Sequence, residues 1–194
     1  MAAFENAFEN KKKTFLAKSD RSLKGSIDQG IRALVSIING KKDYFTTSSC
    51  SGRLALIAKP ESEKKDLSQW LFVSHDRVDF PELDRVLKGK LPQEQVWLKK
   101  EGAILHVCCR TTSHAAALLA AAKGVGFKRS GITAASRRII VEIIDTENME
   151  LPVADKGRSL ISEDYLKLLV ELGNKRRERT IRKIGSLKKI LKRL

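Results

Sequence analysis

Between residues 44 and 144 the apolar chain comes only in short pieces, and that brevity constrains the fold more than any other feature. Tyr44–Ser49, Leu54–Lys59, Trp70–His75, Gln95–Lys100, Ala103–Arg110, Phe127–Ala135 and Arg138–Ile144 are rich in β-branched, aromatic and aliphatic residues. Each has the length of a strand rather than of a helix. Helical patterns separate or flank them. Phe4, Phe8, Phe15 and Leu16 fall near helical spacing over 3–18, and Ile27, Ile31, Leu34, Val35 and Ile38 do so after a Ser26 N-cap and before Asn39-Gly40. Phe80–Lys88 opens near Pro81, and an alanine-rich helix runs from a Ser113 cap to Gly124. Pro152 falls in a loop, and a last helix runs over 162–193 with weak points at Gly173 or Gly185. Hairpins are expected at Cys50–Arg53 and around Glu101-Gly102.

These elements predict an α+β fold in a single domain, 1–194: two small, mostly antiparallel sheets packed with central helices, plus a long basic C-terminal helix. No GxGxxG or GxxxxGK[ST] loop is present, which argues against a doubly wound nucleotide-binding sheet. A helix, a glycine, an aromatic, a hydroxyl-rich segment, an arginine and an apolar strand follow one another at 28–58 and again at 113–144. That order suggests duplicated β/α units, with pseudo-repeats over 28–76 and 95–145. An accidental match of two helix–strand units accounts for the same pattern.

The net charge of +15 favours an anionic partner, nucleic acid first among them. Its placement is uneven: the last twenty residues hold ten Lys/Arg and one Glu. Lys175, Arg176, Arg177, Arg179, Arg182 and Lys183 are the candidate phosphate contacts, which would be salt-sensitive and blind to base sequence. A solvated helix end is the plain alternative. Three cysteines without a CxxC pair fit reduced thiols in a cytoplasmic protein. No signal-peptide or membrane-length apolar run occurs, so no membrane partner is expected. His75, His106 and His114 lack HxxxH or HExxH spacing, so no metal is expected either.

One segment is denser in chemistry than a loop requires. Thr46 to Arg53, TTSSCSGR, packs five hydroxyls, a thiol, a glycine and an arginine between Tyr44-Phe45 and the run Leu54–Ala58. It reads either as a hairpin bend with a solvated Arg53, or as an anion pocket in which hydroxyls, turn N–H groups and a bidentate guanidinium hold a carboxylate or phosphate. Tyr44, Phe45, Trp70 and Phe72 are candidates to stack a base, or sheet core. His75 and His106 are each a structural imidazole or a base active near neutral pH.

The series FENKKKTFLAKSDRSLKGSID, YFTTSSCSGR, WLFVSHD, ILHVCCR, FKRSGIT and LISEDYL, running from about residue 8 to 170, resembles the wybutosine-synthesising protein 3 family in its order and in most of its length. The resemblance implies an S-adenosylmethionine-dependent methyltransferase. Its substrate would be a ring nitrogen, N-4, of the tricyclic wyosine precursor beside the anticodon of phenylalanine tRNA. Carried onto this chain it marks Ser22, Lys24, Gly25 and Asp28; Ser48, Ser49, Cys50, Gly52 and Arg53; His75 and Asp76; His106 and Arg110; and Ser130, Gly131 and Thr133. Where family members carry a glycine-rich stretch before the tryptophan of WLF, this chain has the charged segment 61–69.

A sulfonium methyl is already electrophilic, so such a protein must align it with the nitrogen and receive a proton. On this reading Asp28 or His75 accepts the proton. Arg53 with the Ser48 and Ser49 hydroxyls holds the cofactor carboxylate or an RNA phosphate, Trp70 stacks, and the basic helix grips the anticodon stem. A target in a single-stranded loop costs less to expose than one in a duplex. The alternative is a non-catalytic tRNA-binding protein; a redox sensor built on Cys50 lacks a resolving partner in sequence.

Overall fold

The computed structural model describes residues 2–17, 26–60 and 68–193. In chain order it contains α1 (Ala2–Leu16), α2 (Gln29–Gly40), β1 (Tyr44–Cys50), β2 (Arg53–Lys59), β3 (Gln69–Ser74), α3 (Phe80–Lys88), β4 (Gln95–Glu101), β5 (Ile104–Cys109), α4 (Thr112–Gly124), β6 (Gly131–Ala134), β7 (Ile139–Ile144), β8 (Met149–Asp155), β9 (Arg158–Ser159) and α5 (Glu163–Leu191). Two compact units share them. The first draws on 1–51, 103–146 and 182–194, the second on 52–102 and 147–181.

The first unit holds a four-stranded antiparallel sheet in the order β1-β5-β7-β6. Its strands alternate: Leu105, Val107, Val141 and Ile143 are buried, whereas His106, Ile140, Glu142 and Ile144 are not fully so, as expected of a sheet with one face on a core. Helix α2 packs on β1 and α4 packs on β5 and β7. Ile31, Leu34, Val35 and Ile38 form the buried stripe of α2, matching the apolar periodicity. Phe45 is fully buried, with the rings of Phe8 and Phe15 at 5.4 and 5.7 Å.

The second unit holds a five-stranded antiparallel sheet, β3-β2-β4-β8-β9. Leu54, Leu56, Leu98 and Val153 from its strands meet Leu83 and Leu87 of α3 and Leu166, Leu169 and Val170 of α5 in one core. Gly173 of α5 sits where an added Cβ would lie 3.1 Å from Leu54 Cδ1, so the helix approaches β2 closely because that side chain is absent. Buried Asn174 accepts a bond from Val78 N and donates one to Val78 O, fixing α5 to the segment before α3.

The α+β class, the two antiparallel sheets and the long C-terminal helix agree with the sequence reading; several local expectations do not. Neither expected hairpin forms, because β1 pairs with β5 and β2 with β3 and β4. The turn chemistry is real, since Gly52 has φ +86°, a conformation glycine adopts without strain. There the chain changes sheets instead of reversing within one. The stretches read as copies also pair differently: β6 and β7 are neighbours, while β1 and β2 lie in different sheets. Pro152 lies in β8, at the point where the β4–β8 register shifts, one of the few places a sheet admits proline. Asp28 rather than Ser26 caps α2, and Thr111 rather than Ser113 caps α4 by accepting from His114 N. Helix α5 runs unbroken through Gly173 and Gly185, since burial of Leu166, Leu169, Leu187 and Leu191 outweighs the helix-weakening tendency of two glycines.

Candidate functional site

In the first unit the sequence-marked groups gather on β1 and its neighbours. The register places Ser48 opposite His106 and His106 opposite Glu142, with Gly131 opposite Glu142 on the other side. Directly opposed residues share a sheet face, and the side chains meet: Ser48 Oγ is 2.7 Å from His106 Nδ1, and His106 Nε2 is 3.0 Å from Glu142 Oε1. An irregularity in β1 at Thr47 brings Ser48 onto the face of His106, and the Thr47 hydroxyl donates to His106 O. Asp28, 5% exposed, does not cap its own helix with its side chain; its Oδ2 accepts from Ser51 N at 2.9 Å and from the Ser51 hydroxyl at 3.3 Å. Ser49 and Cys50 complete β1, Cys50 half-buried opposite Ile104.

Three further marked residues of this unit lie outside that row. Arg110 pairs with Asp43 at 2.7 Å and Glu9 at 3.3 Å and lies over the Phe8 ring, with its side chain 12% exposed. It ties α1 to the turn before β1. Buried Ser130 accepts from Ile144 N, and Thr133 is exposed on β6. Burial pushes the Cys108 thiol up and the Cys109 thiol up to about 12, so both stay protonated at neutral pH. Ser22, Lys24 and Gly25, like 61–67 of the charged segment, lie outside the described residues.

In the second unit Arg53 begins β2. Its Nε donates to Glu101 Oε2 at 2.5 Å, across the β2–β4 pairing, and its guanidinium carbon lies 4.4 Å from the Trp70 ring centre. Among the described residues this leaves the two terminal amino groups of Arg53 for another partner. Trp70 is 38% exposed. His75 Nδ1 is 3.0 Å from Gly52 O; a carbonyl only accepts, so Nδ1 carries the proton and Nε2 is the basic position when the ring is neutral. Arg177 donates to His75 O and to Asp76.

The basic helix is less of a free tail than its composition implies. Lys175 pairs with Glu171, Arg176 and Arg179 with Glu147, and Arg177 with Asp76. Lys183 meets the buried Asp145 at 2.7 Å. Ile184, Leu187 and Leu191 are buried, so the segment is core on one side. Arg182, Lys189, Lys192 and Arg193 are exposed, as are Lys128, Arg129, Arg137 and Arg138 around β6 and β7.

Glu142 is the site residue that sequence reasoning passed over. The signal was available: it is the one charged residue inside the apolar run IIVEII of β7. Only the β5–β7 register shows that it faces His106.

The model of the methyltransferase TYW3 family matches residues 10–193. A protein from Pyrococcus abyssi named tRNA(Phe) 7-((3-amino-3-carboxypropyl)-4-demethylwyosine(37)-N(4))-methyltransferase 1 is 38% identical over 185 residues, covering 93% of this chain and 94% of its own. A tRNA wybutosine-synthesizing protein 3 homolog from Xenopus laevis is 36% identical over 184 residues, covering 93% and 72%. A solved structure of a Pyrococcus horikoshii protein superposes with a TM-score of 0.87 at 34% identity, covering 97% of both chains. A sequence match over nearly the whole chain, carried by a shared fold, shows that the chain belongs to the TYW3 methyltransferase family.

Proposed function

We propose that the protein transfers a methyl group from S-adenosylmethionine to nitrogen N-4 of the tricyclic 4-demethylwyosine base beside the anticodon of phenylalanine tRNA. The observation that carries this is the family match over 10–193, together with near full-length relatives named for that reaction. When bound, the cofactor supplies an electrophilic sulfonium methyl, which leaves alignment and proton removal to the protein.

The donor set fits such a ligand. Arg53 offers two amino groups to an amino-acid carboxylate or a phosphate while Glu101 fixes its Nε. Trp70 offers an aromatic surface for a base or adenine. Asp28 and His75, expected from the sequence as proton acceptors, hold Ser51 and Gly52 through the bonds described above, and we assign them that positioning role. The exposed cations on α5 and around β6 and β7 would contact phosphates without reading base identity.

Calorimetry with S-adenosylmethionine, followed by mass analysis of nucleosides from precursor phenylalanine tRNA after incubation, tests the reading. Cofactor binding and a mass gain of one methyl group at the wyosine precursor are expected. Salt-dependent tRNA binding without cofactor affinity or methylation would instead identify a non-catalytic RNA-binding protein.

A further inference from the structure

We propose that Ser48, His106 and Glu142 form a proton relay, and that Ser48 Oγ meets the N–H of the base being methylated. The inference rests on the methyl-transfer reading and assigns the proton acceptor that this reading needs.

The direction of each hydrogen bond follows from what each group can do. An ionised Glu142 carboxylate only accepts, so the 3.0 Å contact requires the proton on His106 Nε2. A neutral imidazole protonated at Nε2 has its lone pair on Nδ1, and the 2.7 Å contact there requires Ser48 to donate its hydroxyl hydrogen. Among the described residues the Ser48 oxygen therefore keeps its lone pairs for a ligand, and Ser48 is the exposed member of the three. Glu142 is 28% exposed and His106 30% at their side chains, so the row runs from a half-buried acid to an exposed hydroxyl. Three neighbouring strands set its geometry, β1, β5 and β7, and sites on such rigid elements hold distances better than loops do.

Asp28 fits the acceptor role less well, because its buried carboxylate already accepts from the Ser51 backbone N–H and hydroxyl. In the relay the ring nitrogen gains its bond to the methyl carbon as the carbon–sulfur bond breaks, the bonding pair staying on the sulfur of a departing neutral thioether, and the N–H proton passes to Ser48 Oγ. Ser48 passes its own proton to His106 Nδ1. His106 becomes an imidazolium facing the Glu142 carboxylate, so the positive charge carried in by the donor ends on His106 and Ser48 is unchanged. Ser48 is the catalytic residue of the row, and Glu142 is a positioning residue that fixes the His106 tautomer.

The test combines a spectroscopic and a kinetic measurement on the full chain. In the protein without donor or tRNA, 15N NMR should find His106 protonated at Nε2 and accepting at Nδ1, and Glu142→Gln should erode that preference. In single-turnover methylation of pre-bound precursor tRNA, Ser48→Ala and His106→Ala should slow the reaction about 100-fold or more. Donor and tRNA affinities should stay within about threefold, and added imidazole should partly restore His106→Ala. Glu142→Gln should slow it about tenfold while keeping its unfolding midpoint. Ser48→Ala, which removes one exposed oxygen, carries the kinetic test if His106→Ala does not fold.

The relay is overturned if His106 holds its proton at Nδ1, or if Ser48→Ala methylates within about threefold of wild type. It is also overturned if a fluorophosphonate probe labels Ser48, since the same row would then be activating a nucleophile. A wild-type protein that binds no donor and methylates no precursor overturns the methyl-transfer reading and the relay together; an active wild type with an equally active Ser48→Ala overturns the relay alone.

Discussion

The two sheets carry polar rows of opposite character, and both rows begin in the same eight residues, Thr46 to Arg53. On the first sheet a hydroxyl, an imidazole and a carboxylate follow one another across β1, β5 and β7. On the second a guanidinium is held between Glu101 and the Trp70 ring. The first row can pass a proton, because its hydroxyl and imidazole both donate and accept. The second cannot, because a guanidinium stays charged throughout the accessible pH range; it can only grip an anion or a ring. A segment that looks like a turn is thus a division of labour: its hydroxyls serve one sheet and its arginine the other, with the left-handed Gly52 at the change.

The largest effects should come from cutting the scaffold under one row and not the other. Phe45→Ala removes a fully buried ring packed by Phe8 and Phe15 and should cost about 3–5 kcal/mol in urea unfolding. Hydrogen exchange should then rise most in β1 and β5. Leu98→Ala, at a fully buried position of β4, should cost about 2–5 kcal/mol and raise exchange most in β2 and β4. Equal loss of protection in both sheets from either variant would mean that the two rows stand on one cooperative scaffold. Next in size, Lys183→Met removes the cation 2.7 Å from the Asp145 carboxylate, whose side chain is fully buried, and should cost about 3 kcal/mol.

Below these comes a loss in binding rather than in folding. Arg53→Ala removes the gripping group of the second row and should weaken the donor, or tRNA if the anion is a phosphate, by about 1.5–3 kcal/mol in calorimetry. Arg53→Lys should recover only part of this, since an ammonium lacks the planar fork. Unchanged affinity for both ligands in Arg53→Ala would remove the distinction between a gripping row and a proton-passing one.

Much of the fold was legible because its signals are local. The 3.6-residue stripe of Ile31, Leu34, Val35 and Ile38, the opening of α3 near Pro81 and the apolar runs of β2, β5 and β7 name their own elements. Strand partners were not legible, because Ser51-Gly52 and Glu101-Gly102 carry the chemistry of a reversal whether the next strand joins the same sheet or another one. The site divides the same way. TTSSCSGR announced itself by density, whereas the pairing of Ser48 with His106 and of His106 with Glu142 joins residues 58 and 36 positions apart. Arg110, which the resemblance alone marks, is a case of the same kind, since its ion pairs with Asp43 and Glu9 join residues far apart in the chain.

The smallest effect tests the helix that contributes to both units. Gly173 and Gly185 are both interior to α5, so propensity alone predicts that alanine at either stabilises by up to about 1 kcal/mol. Their surroundings differ. A Cβ at Gly185 meets nothing within 4 Å, whereas one at Gly173 would press on Leu54 Cδ1 at 3.1 Å. Leu54 is packed in the core of the second unit and has little room to yield. Gly185→Ala should therefore raise the urea midpoint, and Gly173→Ala should leave it unchanged or lower it. A gain of equal size at both positions would mean that Leu54 moves aside freely, and that the core beneath Arg53 is looser than a fixed gripping row requires.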